Sequence, residues 1–454
     1  MYTIDRSSNL RAGVALVLML VATAFTHRAA AQTYSLKDCI EYGLKNHPSI
    51  NVARNNVANA KQASREALAA YLPQVNINGE LDNNMKLQTN IIPASPPLFP
   101  TETRLTFGNK YANTLVAQAD QPIYNQSLIT GLKANKPNQE IAELNDAQNR
   151  QNLIYNIASS YFQIITAQKQ LELLKGNSER VERMLKVAKL QAEAGVAKKV
   201  DVKQVQVNLN NVNAQISVAE NTLQLATNSL KNAMGIYDNR AIMLSDTAKW
   251  LQYKAGLTNT TGFRFKNTLT YQLQEKQIQL YDINAQSIKA KGIPTVSAFA
   301  RYGLNGFGAQ LDDVFARQFD YSTVGIKASW SVFDGFRRNA QYHQAVFQRD
   351  NARLNQEISL SNENLQYQNA ESQFKQARSV LTTNQDNVTL AAQVYDNTSL
   401  QYKEGAGTLS DLLNAESAYR EAQSNYIQSL IRFYIAQLDL ERTNSTLDNY
   451  FEKL

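Results

Sequence analysis

The residues that usually do chemistry are sparse in this chain. It has three histidines and one cysteine in 454 residues. His27 lies in the leader described below, which leaves His47, His343 and Cys39. No cluster has metal-ligand spacing, no nucleophile–histidine–acid set groups together, and no glycine-rich loop could cradle phosphate. His47 beside Pro48 reads as a helix-end residue rather than a ligand. The spacing predicts no enzyme and no cofactor. The carboxylates that stand out are Asp201 and Asp411. Each follows a glycine by the same interval, Gly195 and Gly405, at an offset of about 210. An acid just after a helix break can cap the next helix and complement its dipole, and on the residues alone this is the favoured role.

The elements that position these acids are written twice. Asn46–Pro73 reads against Asn267–Pro294 at an offset of about 221. Leu36–Ala70 is predicted helical, N-capped by Ser35, kinked at Pro48 and ended at Leu72-Pro73. The period then changes to two. Val75, Ile77 and Leu81 alternate with Asn76, Asn78, Glu80 and Asp82. Asn90–Thr103 reads as an exposed loop, and Tyr111–Ile123 as a second strand whose apolar face its weak alternation leaves open. After Ile293-Pro294 the pattern recurs. Val296, Ala298, Ala300, Tyr302 and Leu304 alternate with polar residues, although Phe299 breaks the polar face. Gly303–Asp313 reads as a loop, followed by Val324, Ile326, Ala328 and Trp330 in alternation.

Long helices border both strand pairs. Gln126–Ala194, interrupted only by Gly131, Pro137 and Gly176, breaks at Gly195 before Lys199–Met234. Arg337–Glu404 breaks at Gly405-Ala406-Gly407 before Leu409–Arg442. The longer helices would reach roughly 100 Å and their shorter neighbours roughly 50 Å at 1.5 Å per residue. Their apolar stripes at near-heptad spacing want partner helices.

Composition narrows the setting. Arg6, Arg11, the apolar run Ala12–Phe25 and the Ala29-x-Ala31 site form an export signal, with cleavage expected before Gln32. The formal charge is +7, and Arg6, Arg11 and Arg28 against Asp5 account for +2 of it, leaving +5 on the exported part. Its basic residues are scattered, which argues against nucleic acid as a partner. One cysteine makes no internal disulfide, and Cys39 near Ile40 on an apolar helix face reads as a buried thiol. No membrane-length apolar run follows the signal, so the chain is periplasmic, secreted or a β-barrel protein. Four amphipathic strands do not close a barrel, whereas three chains would supply twelve.

The chain resembles the TolC family of outer-membrane efflux factors. The residues that carry this are Ser35-Leu36-Lys37-Asp38-Cys39-Ile40, Asn46-His47-Pro48, Leu72-Pro73, Trp330-Ser331-Val332-Phe333-Asp334-Gly335, and Gly405–Ala415 around the second break. Their order and doubling matter more than any one motif. The resemblance implies a mixed α/β membrane protein of internally duplicated helical hairpins. These form an α-helical periplasmic tube continuous with an outer-membrane β-barrel, four strands per protomer and twelve per homotrimer.

The implied divisions are a signal peptide 1–31, a first repeat 32–235, an equatorial segment 236–265, a second repeat 266–445 and a tail 446–454. The implied function is a passive duct for efflux or type I secretion, fed by an inner-membrane pump through a periplasmic adaptor. Outer-membrane lipid would surround the barrel, which is entered and left near Pro73, Pro294, Trp330 and Phe333. Gly195, Gly405 and Gly407 mark the periplasmic tip. Asp411 and Asn414 match constriction positions whose carboxylates can ring the opening and favour cations. Asp201 and Tyr402 match a network that holds the tip shut. The chain departs from the family where Gly407 replaces a basic residue and Asn414 replaces a second acid, so closure would be weaker or would draw on Lys198 or Lys199. The rival reading is a non-channel coiled-coil adaptor or structural protein, which two separated strand pairs do not suit. The cargo is not legible; drugs, metals and proteins all remain open.

Overall fold

The computed structural model describes residues 32–94, 98, 101–238, 240–251 and 262–452. The expected signal peptide, 1–31, lies outside them. The chain divides into two compact units. One holds the described residues up to Val52 together with Asp146–Leu269 and the residues from Leu360 onward; the other holds Ala53–Asn145 and Thr270–Ser359.

The second unit is built on strands β2 (Gln74–Asn83), β5 (Tyr111–Tyr124), β7 (Thr295–Gly308) and β8 (Gln318–Ser329), in sheet order β2-β5-β7-β8 and antiparallel throughout. Register settles which side is apolar. Val75, Ala119, Ala300 and Val324 share one row, and Ile77, Ala117 and Tyr302 continue that face. Gln118, Arg301 and Thr323 share a row on the other face, with Asp120 and Lys327 nearby on the same side. Successive side chains of a strand alternate between faces, so one surface is apolar and the other polar. The apolar surface is bare in the protomer, with Val75 68%, Ile77 71%, Val324 83% and Ile326 72% exposed. The ambiguous strand β5 is thereby resolved, because Leu115, Ala117 and Ala119 lie on the apolar face.

Two expectations need correction. The stretch 90–103 is not all loop, because β3 (Gln88–Ile92) and β4 (Thr103–Phe107) pair as a separate antiparallel ribbon. Its strands are only 5 residues each, too short for an alternation to declare itself. The stretch 303–313 is not all loop either, because β7 continues to Gly308. Its glycines serve close approach. A Cβ on Gly303 would lie 2.3 Å from the Tyr321 ring, and one on Gly306 would lie 1.8 Å from the Val314 carbonyl oxygen. Val314 belongs to the short helix α8 (Asp313–Ala316), which packs back on β7. Phe299, which broke the polar pattern, lies across Gly325 in the same way.

Helices flank the strands as their sequence signals direct. Helix α1 (Leu36–Asn46) starts at a capping box between Ser35 and Asp38. Helix α2 (Pro48–Ala69) begins on proline, as helices favour. Of the interruptions expected in the helix from Gln126, those at Gly131 and Pro137 coincide with a break and that at Gly176 does not. Helix α3 (Gln126–Leu132) stops after Gly131, and α4 (Asn135–Glu193) restarts two residues before Pro137, while Gly176 is carried inside it. Helix α5 is Lys199–Met234. In the later half, α7 (Leu269–Ala290), α9 (Arg337–Lys403) and α10 (Leu409–Thr443) repeat the element order. Helices α4 and α9 contribute residues to both units. Among the described residues no helix is long and apolar enough to cross a membrane.

The first unit has an aromatic core. Phe162 stacks on Tyr434 at 4.3 Å, and Trp250 meets both edge-on at 5.1 and 5.8 Å. Trp250 lies on α6 (Thr247–Leu251), in the segment between the halves. That segment is tied down by a parallel pairing of β1 (Gln32–Tyr34) with β6 (Ile242–Leu244). It is also held by Asp246, which accepts hydrogen bonds from Tyr161 Oη and, at 2.9 Å, from Trp250 Nε1. Cys39 is fully buried here, and burial pushes its thiol far up, as an inert core thiol requires. Helix α11 (Leu447–Glu452) closes the described chain and buries Leu447 and Phe451 in this core.

Candidate gate at the two helix breaks

Both long helices end in the same turn. Gly195 and Gly405 take left-handed φ of 78° and 77°. In the first break Val196 N–H donates to the Gln191 carbonyl at 2.8 Å; in the second Ala406 N–H donates to the Gln401 carbonyl at 2.8 Å. This is the Schellman closure, and its left-handed residue favours glycine.

The next helix starts on the acid in each case. Lys198 N–H donates to Asp201 Oδ2 at 3.1 Å. Asp411 N–H donates to Thr408 Oγ1 at 3.2 Å, and that hydroxyl donates to Asp411 Oδ2 at 2.6 Å. The Asp201 carboxylate caps its helix as the residues alone favoured, whereas at the second break Thr408 is the cap and Asp411 orients its hydroxyl; both acids sit where the partial positive charge of a helix start is greatest. Thr408-x-x-Asp411 is a capping signature visible in the sequence.

The remaining positions separate into a core and a rim. Tyr402 is buried beside Leu185, Ala188, Val205, Leu409 and Leu412. Its hydroxyl has no hydrogen-bond partner among the described residues. Burial raises its phenol above the ordinary value, and the negative charge of Asp201 adds to the rise. Asp201 and Tyr402 are thus neighbours without a hydrogen bond. Gln191 Nε2 instead joins the two breaks by donating to the Tyr402 carbonyl at 3.4 Å, a contact no sequence signal announced. Asp411 and Asn414 are exposed on one side of α10. Gly407 is confined, because a Cβ there would lie 3.2 Å from Gln401 Cβ and the Tyr402 nitrogen. Lys198 and Lys199 are exposed and form no ion pair among the described residues.

The other expected positions gather at one end of the sheet. Trp330 Nε1 donates to the Gly292 carbonyl at 3.0 Å, which fastens the end of β8 beside Pro294. Pro73 precedes β2, whose end is tied by Tyr71 Oη to the Ile123 carbonyl at 2.8 Å. Phe333 is 75% exposed and meets Phe336 edge-on at 5.6 Å. Among the described residues no group of His, Cys, Asp and Glu could hold a metal ion.

The model of a known family, described as outer membrane efflux protein, matches this chain twice, over residues 40–236 and 267–443. The chain belongs to the outer membrane efflux protein family. It is 21% identical to the outer membrane efflux protein BepC of Brucella suis, covering 92% of this chain and 86% of that protein. It is also 21% identical to the outer membrane protein TolC of Vibrio cholerae, covering 95% of each. Among solved structures, CusC matches at a TM-score of 0.73 with 16% identity, covering 91% of this chain and 95% of that one. The outer membrane protein VceC of Vibrio cholerae matches at 0.69 with 17% identity, covering 90% and 95%. The protein is a TolC-like efflux factor of the cell outer membrane that extends into the periplasm. These relatives are channel proteins of the transport class and not enzymes.

Proposed function

We propose that three copies of this chain form a passive efflux duct. The observation that carries this is the four-stranded sheet with one apolar and one polar face, ended by β2 and β8, neither of which has a further partner among the described residues. Strands of 10 to 14 residues suit a tilted membrane crossing. In lipid, open edges leave backbone groups unsatisfied, so the sheet must close on itself. Pairing β8 of one copy with β2 of the next, three times, gives twelve strands, with the apolar face toward outer-membrane lipid and the polar face toward the lumen. Trp330, Phe333 and Phe336 then sit at the interface end, where aromatic residues are favoured.

The helices continue the wall into the periplasm. The repeats are 32–235 and 266–445, with 236–265 as the belt between them and 446–454 as the tail. The two breaks form the periplasmic tip. Asp411 with Asn414 lines its constriction, and Asp201 and Tyr402 help hold it shut. Gly407 leaves no room for a basic side chain without shifting the turn, so the closure relies on caps and packing more than on a salt bridge. An inner-membrane pump supplies energy, and a periplasmic adaptor docks helical hairpins on the tip. Unheated, detergent-extracted protein should migrate in SDS gels as a trimer and, after boiling, as a monomer. Migration as a monomer without heating would overturn the trimer.

A further inference from the structure

Both halves of the chain meet again above the breaks, in a layer that neither the capping acids nor Tyr402 belongs to. All four long helices contribute. Arg180 of α4 lies with its guanidinium 4.9 Å from the Tyr419 ring of α10 and 5.8 Å from the Tyr395 ring of α9, and those rings stack at 5.9 Å. The guanidinium also donates to Asn177 Oδ1 on its own helix. Glu416 of α10 is 1% exposed, and its Oε2 accepts from Asn208 Nδ2 of α5 at 3.3 Å. Arg180 and Glu416 act on one place. Burial raises the Tyr395 phenol, Arg180 and a hydrogen bond with Ser399 lower it, and Glu416 raises it again. The contacts of Arg180 with Tyr395 and Tyr419 and the Asn208–Glu416 bond join the α4–α5 hairpin to the α9–α10 hairpin. Along the helices the layer lies about 15–23 Å from the breaks at 1.5 Å per residue.

Two details separate this layer from ordinary packing. Arg180 Nε and Glu416 Oε1 are buried and have no hydrogen-bond partner among the described residues. A buried charge is costly unless it is fully bonded. Here a half-buried guanidinium with a shielded Nε and a buried carboxylate share a layer, and each is only partly satisfied. A layer so built holds the hairpins together but is far from the strongest fastening these groups could make. That suits a contact that must give way.

We propose that this layer is a second fastening of the duct, holding the two hairpins together above the tip, with Arg180 and Glu416 as its positioning residues. The proposal rests on the duct reading above. Opening the tip requires the hairpins to part, which pulls the Arg180 guanidinium off the Tyr419 face and breaks the Asn208–Glu416 bond. The layer therefore adds resistance to opening that the capping acids do not supply.

The test uses the full-length oligomer in planar bilayers. Arg180→Ala and Glu416→Ala should each raise the ratio of time spent open to time spent resting about tenfold, the scale of a cation–π contact or a buried charged hydrogen bond. Glu416→Gln should stay within about twofold of wild type, because its amide oxygen still accepts from Asn208, whereas Glu416→Met, similar in size but without that acceptor, should behave like Glu416→Ala, an outcome that a packing role would not give. Wild-type currents in a normally melting Arg180→Ala oligomer, or reduced ones, would overturn the proposal. Should that variant fail to assemble, Asn208→Cys with Glu416→Cys, joined by a short bis-maleimide, provides the second measurement. Joined channels should lose their spontaneous openings, and openings as frequent as before joining would refute the fastening. Absence of any current from folded wild-type protein would instead refute the duct itself.

Discussion

At the residue scale, Asp246 and His47 set the stability of the first unit. Asp246 carries two hydrogen bonds from buried aromatic donors, Tyr161 and Trp250. Asp246→Ala leaves both donors without an acceptor, at about 1–3 kcal/mol each for a buried orphaned group. The substitution should lower the melting temperature of the extracted protein and loosen the segment 240–251 in hydrogen exchange; an unchanged melt would contradict this anchor. His47 gives a pH dependence. Its Nδ1 accepts from the Ser49 backbone N–H at 3.2 Å, so the bonded ring carries no proton there. Burial holds its pKa below the ordinary value. A folded pKa below the unfolded one stabilises the protein fully above the unfolded value, about 6.5, and loses that stability as pH falls below it. Melting at pH 7.5 and 5.5 should differ more for wild type than for His47→Gln, and equal differences would remove His47 from the account.

At the element scale, the turns were legible and the ribbon was not. Helix ends followed from single residues with a strict backbone role: Ser35 and Asp38 at the start of α1, Pro48 at the start of α2, Gly195 and Gly405 at the breaks. The break after Gly131 was less legible, because propensity alone does not decide whether a glycine ends a helix; Gly176 is carried within α4. Strands β2 and β8 declared themselves by alternation. Strand β5 did not, since alanines on one face and Thr114, Val116 and Gln118 on the other give little contrast until the partners of Leu115 and Ala117 are known. The extension of β7 through Gly303 and Gly306 was hidden because those glycines read as loop, whereas the Tyr321 ring and the Val314 backbone occupy their missing side chains. Gly195→Ala and Gly405→Ala should each cost about 1–2 kcal/mol through the left-handed backbone. The loss should appear as faster exchange near the breaks with β2–β8 unaffected. Protection lost evenly along the chain would show that the breaks are not separate units.

At the scale of the whole molecule, family and setting were legible from order and doubling rather than from any motif. The fold gathers only some of the residues proposed for the gate. Asp201, Tyr402, Gly195 and Gly405 come together around the breaks, while Asp411 and Asn414 stand exposed and act only if copies of the chain bring them into a ring. No single sequence pattern reports the contact of Arg180 with Tyr395 and Tyr419, because it joins three helices remote in the chain. The proposed trimeric duct narrows at its periplasmic tip. The most direct measurement is planar-bilayer conductance of the extracted oligomer, wild type against Asp411→Ala, with and without a multivalent cation on the tip side. The duct account predicts small, cation-selective wild-type currents blocked by the multivalent cation, with selectivity and block weakened in the variant. Folded wild-type protein that never inserts or conducts would contradict it.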